Sequence, residues 1–319
     1  MLKRRIHFDV QALVLFGIMV VIIIISSILS PKFFTFVNIQ NITQTVSLVM
    51  LVGSAAVMLM IAGNFDLSVG SVMALSAIMF AFMCKHGIPT YFAMVLAIGI
   101  GAFFGLINGF LVNKLRVGSI IATLATLNIA KGLAWIVARY DGGARIASGL
   151  PSNFQDLGRT MIGPVPLFLI VVIAIVAVMY FVYSKTLLSK YAFAIGGNET
   201  AAKLSGVRSE LVITVLFVLV GALVALAGII LSTRLGSATP NFGPTFHFDV
   251  IIAIVLGGTS IYGGEGSFAG MIIGALIVGM LANIMNLMDI NYFYQLIVRG
   301  IVLIGAVLAN REIKERLGR

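Results

Sequence analysis

The residues whose types are suited to chemistry are few in this sequence, and none of them has the spacing of a catalytic or metal site. His7, His86 and His247 are far apart, so no pair lies at i and i+4 as a zinc-binding helix requires. Neither a Gly-x-Ser-x-Gly elbow nor a Gly-x4-Gly-Lys-Ser/Thr phosphate loop occurs. The sequence therefore predicts neither an enzyme nor a metal site, and any ATP chemistry must belong to another chain.

A carboxylate stands between two apolar runs in Gly63-Asn-Phe-Asp-Leu-Ser-Val-Gly-Ser71. A carboxylate at membrane depth is costly and usually faces a cavity or a partner, and backbone unwound there needs a polar or wet surrounding. We interpret this stretch as part of a polar substrate path, formed by Asn64, Phe65, Asp66, Leu67 and Ser68. The alternative is a plain cytoplasmic turn in which Asp66 caps the following helix.

A second glycine-rich stretch, Gly257-Gly-Thr-Ser-Ile-Tyr-Gly-Gly-Glu-Gly-Ser267, also precedes an apolar run. Each of the two stretches combines glycines, a carboxylate and a Gly-Ser pair, which is compatible either with an internal repeat of the kind found in transporters or with chance. We expect a second inner-face motif here, formed by Gly263, Gly264, Glu265 and Gly266. The alternative is a turn with an exposed acid.

Two basic residues, Lys131 and Arg299, fall inside predicted membrane helices. We expect Lys131 to snorkel from its helix and Arg299 to pair with an acid, and such structural roles are favoured for both over contact with substrate. Other polar side chains recur there at roughly helical spacing, and hydrogen bonding between helices explains them as well as a substrate path does; they are Asn108, Asn113, Thr123, Thr126 and Asn128.

The longest polar interruption on the predicted inner side, Tyr191–Glu210, contains a short helix with both ends specified. Asn198 is a good N-cap, and Glu199 suits the positive end of the helix dipole. Lys203 follows Glu199 by four residues, on the same face, and Gly206 is placed to end the helix in the left-handed conformation. Ala201 and Ala202 are small enough to let a partner surface approach.

The elements that must position these residues are membrane helices. The chain is 60% hydrophobic and 10% charged, with a mean hydropathy of +1.12, whereas soluble domains carry about 25% charged residues. The apolar runs are continuous rather than alternating, which predicts an all-α polytopic membrane protein of about ten transmembrane helices. We predict these helices at residues 10–29 (uncleaved), 43–62, 71–84, 91–112, 119–138, 166–183, 211–231, 248–261, 267–288 and 292–309. The helices at 71–84 and 248–261 are short enough to be partial or broken.

Basic residues predict the orientation of this single domain, residues 1–319. Lys and Arg concentrate on cytoplasmic segments, and an inside amino terminus places most of them there: Lys3, Arg4, Arg5, Lys114, Arg116, Lys185, Lys190, Lys203, Arg208, Arg311, Lys314, Arg316 and Arg319. Both termini and a loop at 184–209 are then cytoplasmic, and 139–165 is an extracytoplasmic loop. The loop lysines and arginines that set this orientation account for the formal net charge of +10. The sequence has no basic stripe with interleaved aromatics, the pattern that would indicate nucleic-acid binding.

Several stretches resemble the ribose-type permeases, the membrane subunits of bacterial ABC importers for monosaccharides. Gly63–Ser71 resembles their Gly-Gly-Ile-Asp-Leu-Ser-Val-Gly-Ser, from which Asn64 and Phe65 depart, and Ala194–Gly206 resembles their cytoplasmic segment that meets the ATPase. Val255–Ser267 is similar to a third signature, with Glu265 where a base is common, and Tyr294–Gly300 to the last helix. The likeness extends from about residue 33 to 308.

This resemblance implies the fold of the type II ABC importers and a location in the bacterial cytoplasmic (inner) membrane. It also implies three partners besides the lipid bilayer: an ATP-binding subunit that carries the ATP and Mg, an extracytoplasmic sugar-binding protein, and a second permease, identical or paralogous. The residues that would couple to the ATPase are Gly197, Asn198, Glu199, Ala201, Ala202, Lys203, Leu204, Ser205 and Gly206.

Three alternatives remain open for the sequence. The first is a branched-chain amino-acid or nucleoside importer permease of the same superfamily, against which the Asp66-Leu-Ser motif favours sugar. The second is an ion-coupled, for example proton-coupled, secondary transporter, which needs titratable residues in mid-membrane; this chain offers few beyond Asp66, Lys131 and Arg299. The third is a membrane-embedded enzyme, for which no acid-base or metal constellation exists.

Overall fold

The computed structural model describes the backbone of residues 2–316 and the side chains of residues 15–156 and 158–308. Within that range the chain forms thirteen helices and one hairpin of two short strands. The helices are α1 (Leu2–Leu29), α2 (Phe36–Ile61), α3 (Val69–Lys85), α4 (Thr90–Asn113), α5 (Ser119–Tyr140), α6 (Ser152–Arg159), α7 (Leu167–Lys185), α8 (Leu187–Gly197), α9 (Glu199–Leu204), α10 (Ser209–Leu235), α11 (Phe246–Leu256), α12 (Phe268–Leu287) and α13 (Tyr292–Arg316). The strands are β1 (Met161–Ile162) and β2 (Val165–Pro166), which pair antiparallel.

Six of the described helices are long and apolar enough to cross a membrane: α2, α4, α5, α7, α10 and α12. Four further apolar helices are shorter over their searched residues: Leu15–Leu29 of α1, α3, α11 and Tyr292–Leu308 of α13. The helical class is confirmed, while the count of about ten spans and the orientation stay predictions. The terminal basic side chains on which the orientation partly rests, such as Arg4 and Arg311, lie outside the described side chains.

α2 lies at the centre of the fold, where it contacts α7, α10, α11 and α12. Leu51, Val52, Ala55 and Ile61 have no exposed surface. Beside it, α4 and α10 pack along a seam of glycines. A Cβ at Gly101 would lie 2.2 Å from the carbonyl oxygen of Gly221, so the two backbones touch in the way that small residues allow in membrane proteins.

α11 is short, as expected, but it ends five residues before the predicted boundary at residue 261, because Gly257 and Gly258 follow Leu256 and end the helix. In its first turn Asp249 accepts a hydrogen bond from Nε of Arg299 in α13 at 2.8 Å. The predicted pairing of Arg299 with an acid is thereby confirmed. Nη1 of Arg299 also donates to Thr245 Oγ1 at 3.0 Å, so this buried cation has two partners.

Residues 139–165 contain more structure than the polar loop that we predicted. They hold α6 and most of the β1–β2 hairpin, and the ring of Phe154 stacks on Phe80 of α3 with centroids 5.0 Å apart. Asp141 receives an ion pair from Lys85 at 2.8 Å. α6 has only eight residues, too few for a hydrophobic period to be recognised, and it packs against α10, which is distant in sequence.

α8 was not predicted as a separate helix, since the sequence 184–209 reads as a polar loop. Its buried residues, Ser189, Ala192 and Ile195, recur every three positions on one face. They pack α8 against α2, α7 and α10. The two-turn helix α9 therefore continues from a helix that is already anchored to the core.

Candidate functional site

The predicted short helix forms as α9, with its ends where the local signals place them. The side chain of Asn198 accepts a hydrogen bond from the backbone N–H of Ala201 at 2.9 Å, and Gly206 has a φ of +87°. Glu199 and Lys203 form an i,i+4 ion pair of 2.7 Å. That pair is solvent-exposed, so it adds little to stability; the N-cap contributes about 1 kcal/mol.

The two alanines of α9 face in different directions. Ala202 is buried against the chain's own core, whereas Ala201 is exposed. Leu204, at the end of the helix, has 86% of its surface exposed. A partner surface at α9 would therefore contact Ala201 and Leu204 directly, and Ala202 would serve to hold the helix in place.

Three stretches singled out in the sequence meet at one backbone junction. The N–H of Gly264 donates to the carbonyl oxygen of Ile61, the last residue of α2, at 2.8 Å. A Cβ at Gly196 in α8 would lie 1.9 Å from that same oxygen and 2.4 Å from the nitrogen of Gly264. A Cβ at Gly263 would lie 3.0 Å from the Cα of Gly63. We call Gly63, Gly196, Gly197, Gly263 and Gly264 the glycine junction.

Glycine is needed at the junction for two separate reasons. Gly63, Gly263 and Gly264 have φ values of +79°, +85° and +75°, a region that other residues rarely adopt. Gly196 has no such φ, but its missing side chain makes room for the α2 terminus. The predicted second inner-face motif is therefore a contact between loops and helix ends within this chain.

Asp66 belongs to a buried polar chain that crosses three elements. Its Oδ1 accepts from both the backbone N–H and the hydroxyl of Ser68, at 2.8 and 2.5 Å. The Ser68 hydroxyl accepts from Asn108 of α4 at 3.1 Å, and Asn108 accepts from Thr126 of α5 at 2.7 Å. Asp66 thus holds the turn before α3, as the alternative interpretation expects, although Ser68 rather than Asp66 is the N-cap residue.

The rest of the predicted path segment lies at the edge of the core. Asn64, Phe65 and Leu67 are half-buried, and the N–H of Phe65 donates to Ser119 Oγ at the start of α5, 3.2 Å away. The segment is therefore fixed to α4 and α5 while part of its surface stays open. That arrangement permits contact between this segment and a passing solute.

Sequence reasoning missed the contributions of Ile61 and Gly196 to this site. Ile61 lies within a plain apolar run and acts through its carbonyl group, so its side chain carries no signal. The Gly196-Gly197 pair is visible as a place for close approach, but its partners lie far away in the sequence. Among the described residues no group of three His, Cys, Asp or Glu side chains is placed to hold a metal ion.

Comparison with known proteins identifies the family of this chain. Residues 38–307 match the family described as branched-chain amino acid transport system / permease component. The ribose import permease protein RbsC of Bacillus subtilis is 39% identical, over 97% of this chain and 96% of that protein. The L-arabinose transport system permease protein AraH of Escherichia coli is 35% identical, over 91% and 88% of the two chains.

A further relative, the D-allose transport system permease protein AlsC of Escherichia coli, is 33% identical over 94% of this chain and 91% of its own length. No solved structure matches the chain significantly. The matches confirm the resemblance to the ribose-type permeases, and the chain belongs to the family of branched-chain amino acid transport system permease components.

Proposed function

We propose that this chain is the membrane permease subunit of a binding-protein-dependent ABC importer, and that it carries a monosaccharide across the bacterial cytoplasmic membrane. The observation that supports this most is similarity over nearly the whole chain to permeases named for ribose, L-arabinose and D-allose. No phosphate loop occurs in the sequence, so the proposal assigns ATP and Mg to a partner ATPase.

In this proposal α9 is the element that the ATPase moves. It presents Ala201 and Leu204 outward and is capped at both ends, so it would respond as one body rather than unravel. Residues Gly197–Gly206 are continuous with the glycine junction, where α8 touches the end of α2. A displacement of α9 would then reach α2 and the 62–68 segment through backbone contacts.

The remaining partners follow from the same assignment. An extracytoplasmic binding protein would deliver the sugar on the side of α6, and a second permease, identical or paralogous, would complete the path. The path would run past Asn64, Phe65, Asp66, Leu67 and Ser68, where half-buried side chains adjoin a rigid hydrogen-bonded turn. Opening that path first to one side of the membrane and then to the other is the alternating access that transporters of this kind require.

A second candidate substrate class is the branched-chain amino acids, because the description of the matching family names them. An amino acid carries a carboxylate and an ammonium group, and it would need fixed countercharges along the path. The half-buried path segment offers Asp66, whose Oδ1 already bonds Ser68. A neutral sugar fits this surface better.

The test is uptake by the complete transporter. Proteoliposomes that contain this chain, its ATPase and its binding protein are loaded with ATP, and labelled ribose, arabinose, allose and leucine are supplied outside. We expect uptake of one sugar that requires internal ATP and is unaffected by a protonophore. Uptake of leucine alone would overturn the sugar assignment, and uptake that persists without ATP but stops with a protonophore would overturn the importer.

A further inference from the structure

The outward faces of most spanning helices are apolar, as lipid requires. On α4, α7 and α13 the exposed side chains in the middle of each helix are large hydrophobic ones: Val95, Phe103, Leu106, Ile170, Ile173, Val178, Ile297, Ile301 and Ile304. No lysine, arginine, aspartate or glutamate is exposed in those stretches of the described chain. These faces suit direct contact with acyl chains.

α5 differs, because polar side chains interrupt its outward face. Its buried face is a row of small residues that packs on α3 and α4: Ala122, Thr123, Thr126, Ala130, Ala134 and Ala138. At a helical period of 3.6 residues per turn, Asn128 lies opposite this row and Lys131 lies at its flank. Both side chains are exposed. We call Asn128 and Lys131, with the exposed Gly132 beside them, the polar α5 face.

The charge of Lys131 has no partner within the described part of the chain. No ion pair or hydrogen bond to its ammonium group is found among the described side chains. Asn128 donates to the carbonyl of Leu124 at 3.0 Å, while its own carbonyl oxygen has no partner among those residues.

The position of Lys131 along α5 would make direct contact with lipid costly. Lys131 lies in the middle third of α5, about 18 Å along the helix from Ser119 and about 14 Å from Tyr140 at 1.5 Å per residue. Snorkelling serves lysines near helix ends. A charged group at mid-membrane is instead expected to face a water-filled cavity.

We infer that the polar α5 face lines a water-filled route for a neutral, hydroxyl-rich solute, an inference that rests on the proposed function. The ammonium group donates and the free amide oxygen accepts, which suits sugar hydroxyls in water. The Asn64–Ser68 segment contacts the start of the same helix, where the N–H of Phe65 donates to Ser119 Oγ, and the polar α5 face lies further along that helix. The opposite wall would come from the second permease.

Cysteine accessibility tests this inference without requiring the solute to be known. Cys84 is the single cysteine of the sequence and is buried, so Cys84→Ala gives a background free of thiols. Asn128→Cys and Lys131→Cys are then compared with Ile129→Cys and Ile136→Cys, which are 56% and 65% exposed on other parts of the same helix. Each variant, in the complete transporter, is treated with a charged, membrane-impermeant methanethiosulfonate reagent.

We expect the cysteines at 128 and 131 to react at least about tenfold faster than those at 129 and 136, because the thiolate forms in water and not in lipid. Saturating ribose, arabinose or allose, whichever is transported, should slow the two reactions. Equal rates at all four positions would overturn the inference. Slow labelling at 128 and 131 with disulfide cross-links between two copies would also overturn it, since that result means a dry contact.

Two controls keep these outcomes distinct from other failures. Labelling with a maleimide after denaturation shows that each cysteine is present and that each variant inserts. The rates themselves need neither ATP nor a transported sugar. A fast reaction at 128 and 131, together with no sugar uptake by the Cys84→Ala parent in which Asn128 and Lys131 are intact, would reject the proposed function while supporting a water-filled route.

Discussion

At the scale of single residues, the polar side chains of this chain fall into two groups: those that hydrogen-bond to another part of the chain and those that do not. Asp66 and Arg299 each have two hydrogen bonds to neighbouring groups. Lys131 has none among the described side chains and is exposed. Unsatisfied polar groups are costly inside a membrane. The hydrogen bonds of Asp66 and Arg299 therefore give both residues a structural role, whereas the lack of a partner for Lys131 supports our inference that it faces water.

The Asp66 turn gives a test that separates a structural role from a role in transport. Asp66→Asn keeps an oxygen that can accept from Ser68, so we expect a loss of stability within about 1 kcal/mol. Asp66→Leu leaves the N–H and hydroxyl of Ser68 without that acceptor, and we expect it to cost about 1–3 kcal/mol and to lower the melting temperature in detergent. Asn64→Ala, which removes a single bond to the carbonyl of Ala62, is the matched control.

Uptake measured on the same variants completes the comparison. If Asp66→Asn melts like the parent but abolishes uptake, the charge itself acts on the path. If Asp66→Leu melts like Asp66→Asn and transports normally, both the hydrogen-bonded turn and the path assignment are wrong.

At the scale of elements, helix ends that depend on nearby residues were predicted better than helices that depend on contacts distant in the sequence. The ends of α9 follow from Asn198 and Gly206 because capping depends on residues within a few positions. The neighbouring glycine-rich segment predicts that α11 is short, although Gly257 and Gly258 end the helix at Leu256 and not at residue 261. α6 was missed because it packs against α10, which is distant in sequence. α8 was missed because two of its three buried residues, Ser189 and Ala192, are small and give only a weak hydrophobic pattern.

The two neighbouring glycines at the end of α8 provide a matched pair for the glycine junction. A Cβ at Gly196 would lie 1.9 Å from the Ile61 carbonyl oxygen, whereas a Cβ at Gly197 would meet no atom within 4 Å. Gly196→Ala must therefore push α8 and α9 away from α2, at a cost of about 1–3 kcal/mol. We expect it to reduce sugar uptake severely while some ATPase still copurifies, and Gly197→Ala to leave both unchanged. Equal uptake by the two variants would show that the junction transmits nothing.

At the scale of the whole molecule, the sequence was sufficient for the helical class and for the location of each candidate stretch. It was insufficient for their assembly. That Gly196, Gly263 and Gly264 meet around the carbonyl group of Ile61 depends on contacts across some 200 residues, and one sequence contains no record of them. The motifs were therefore recognised separately, and their meeting is known from the structure.

The orientation of the molecule is the prediction on which the proposed function depends most. Lys and Arg concentrate on the segments that include α8 and α9, so those helices should be cytoplasmic, where an ATPase can reach them. In the Cys84→Ala background, Ser152→Cys in α6 and Ser205→Cys after α9 place thiols at two exposed positions. An impermeant maleimide should label Ser152→Cys in intact cells and Ser205→Cys only after the membrane is permeabilised. The reverse pattern would place α9 outside the cell, away from ATP, and the coupling proposal would fail with it. Labelling of both positions in intact cells would mean that an even number of spans separates them, which would overturn the prediction that α7 is a single span between them.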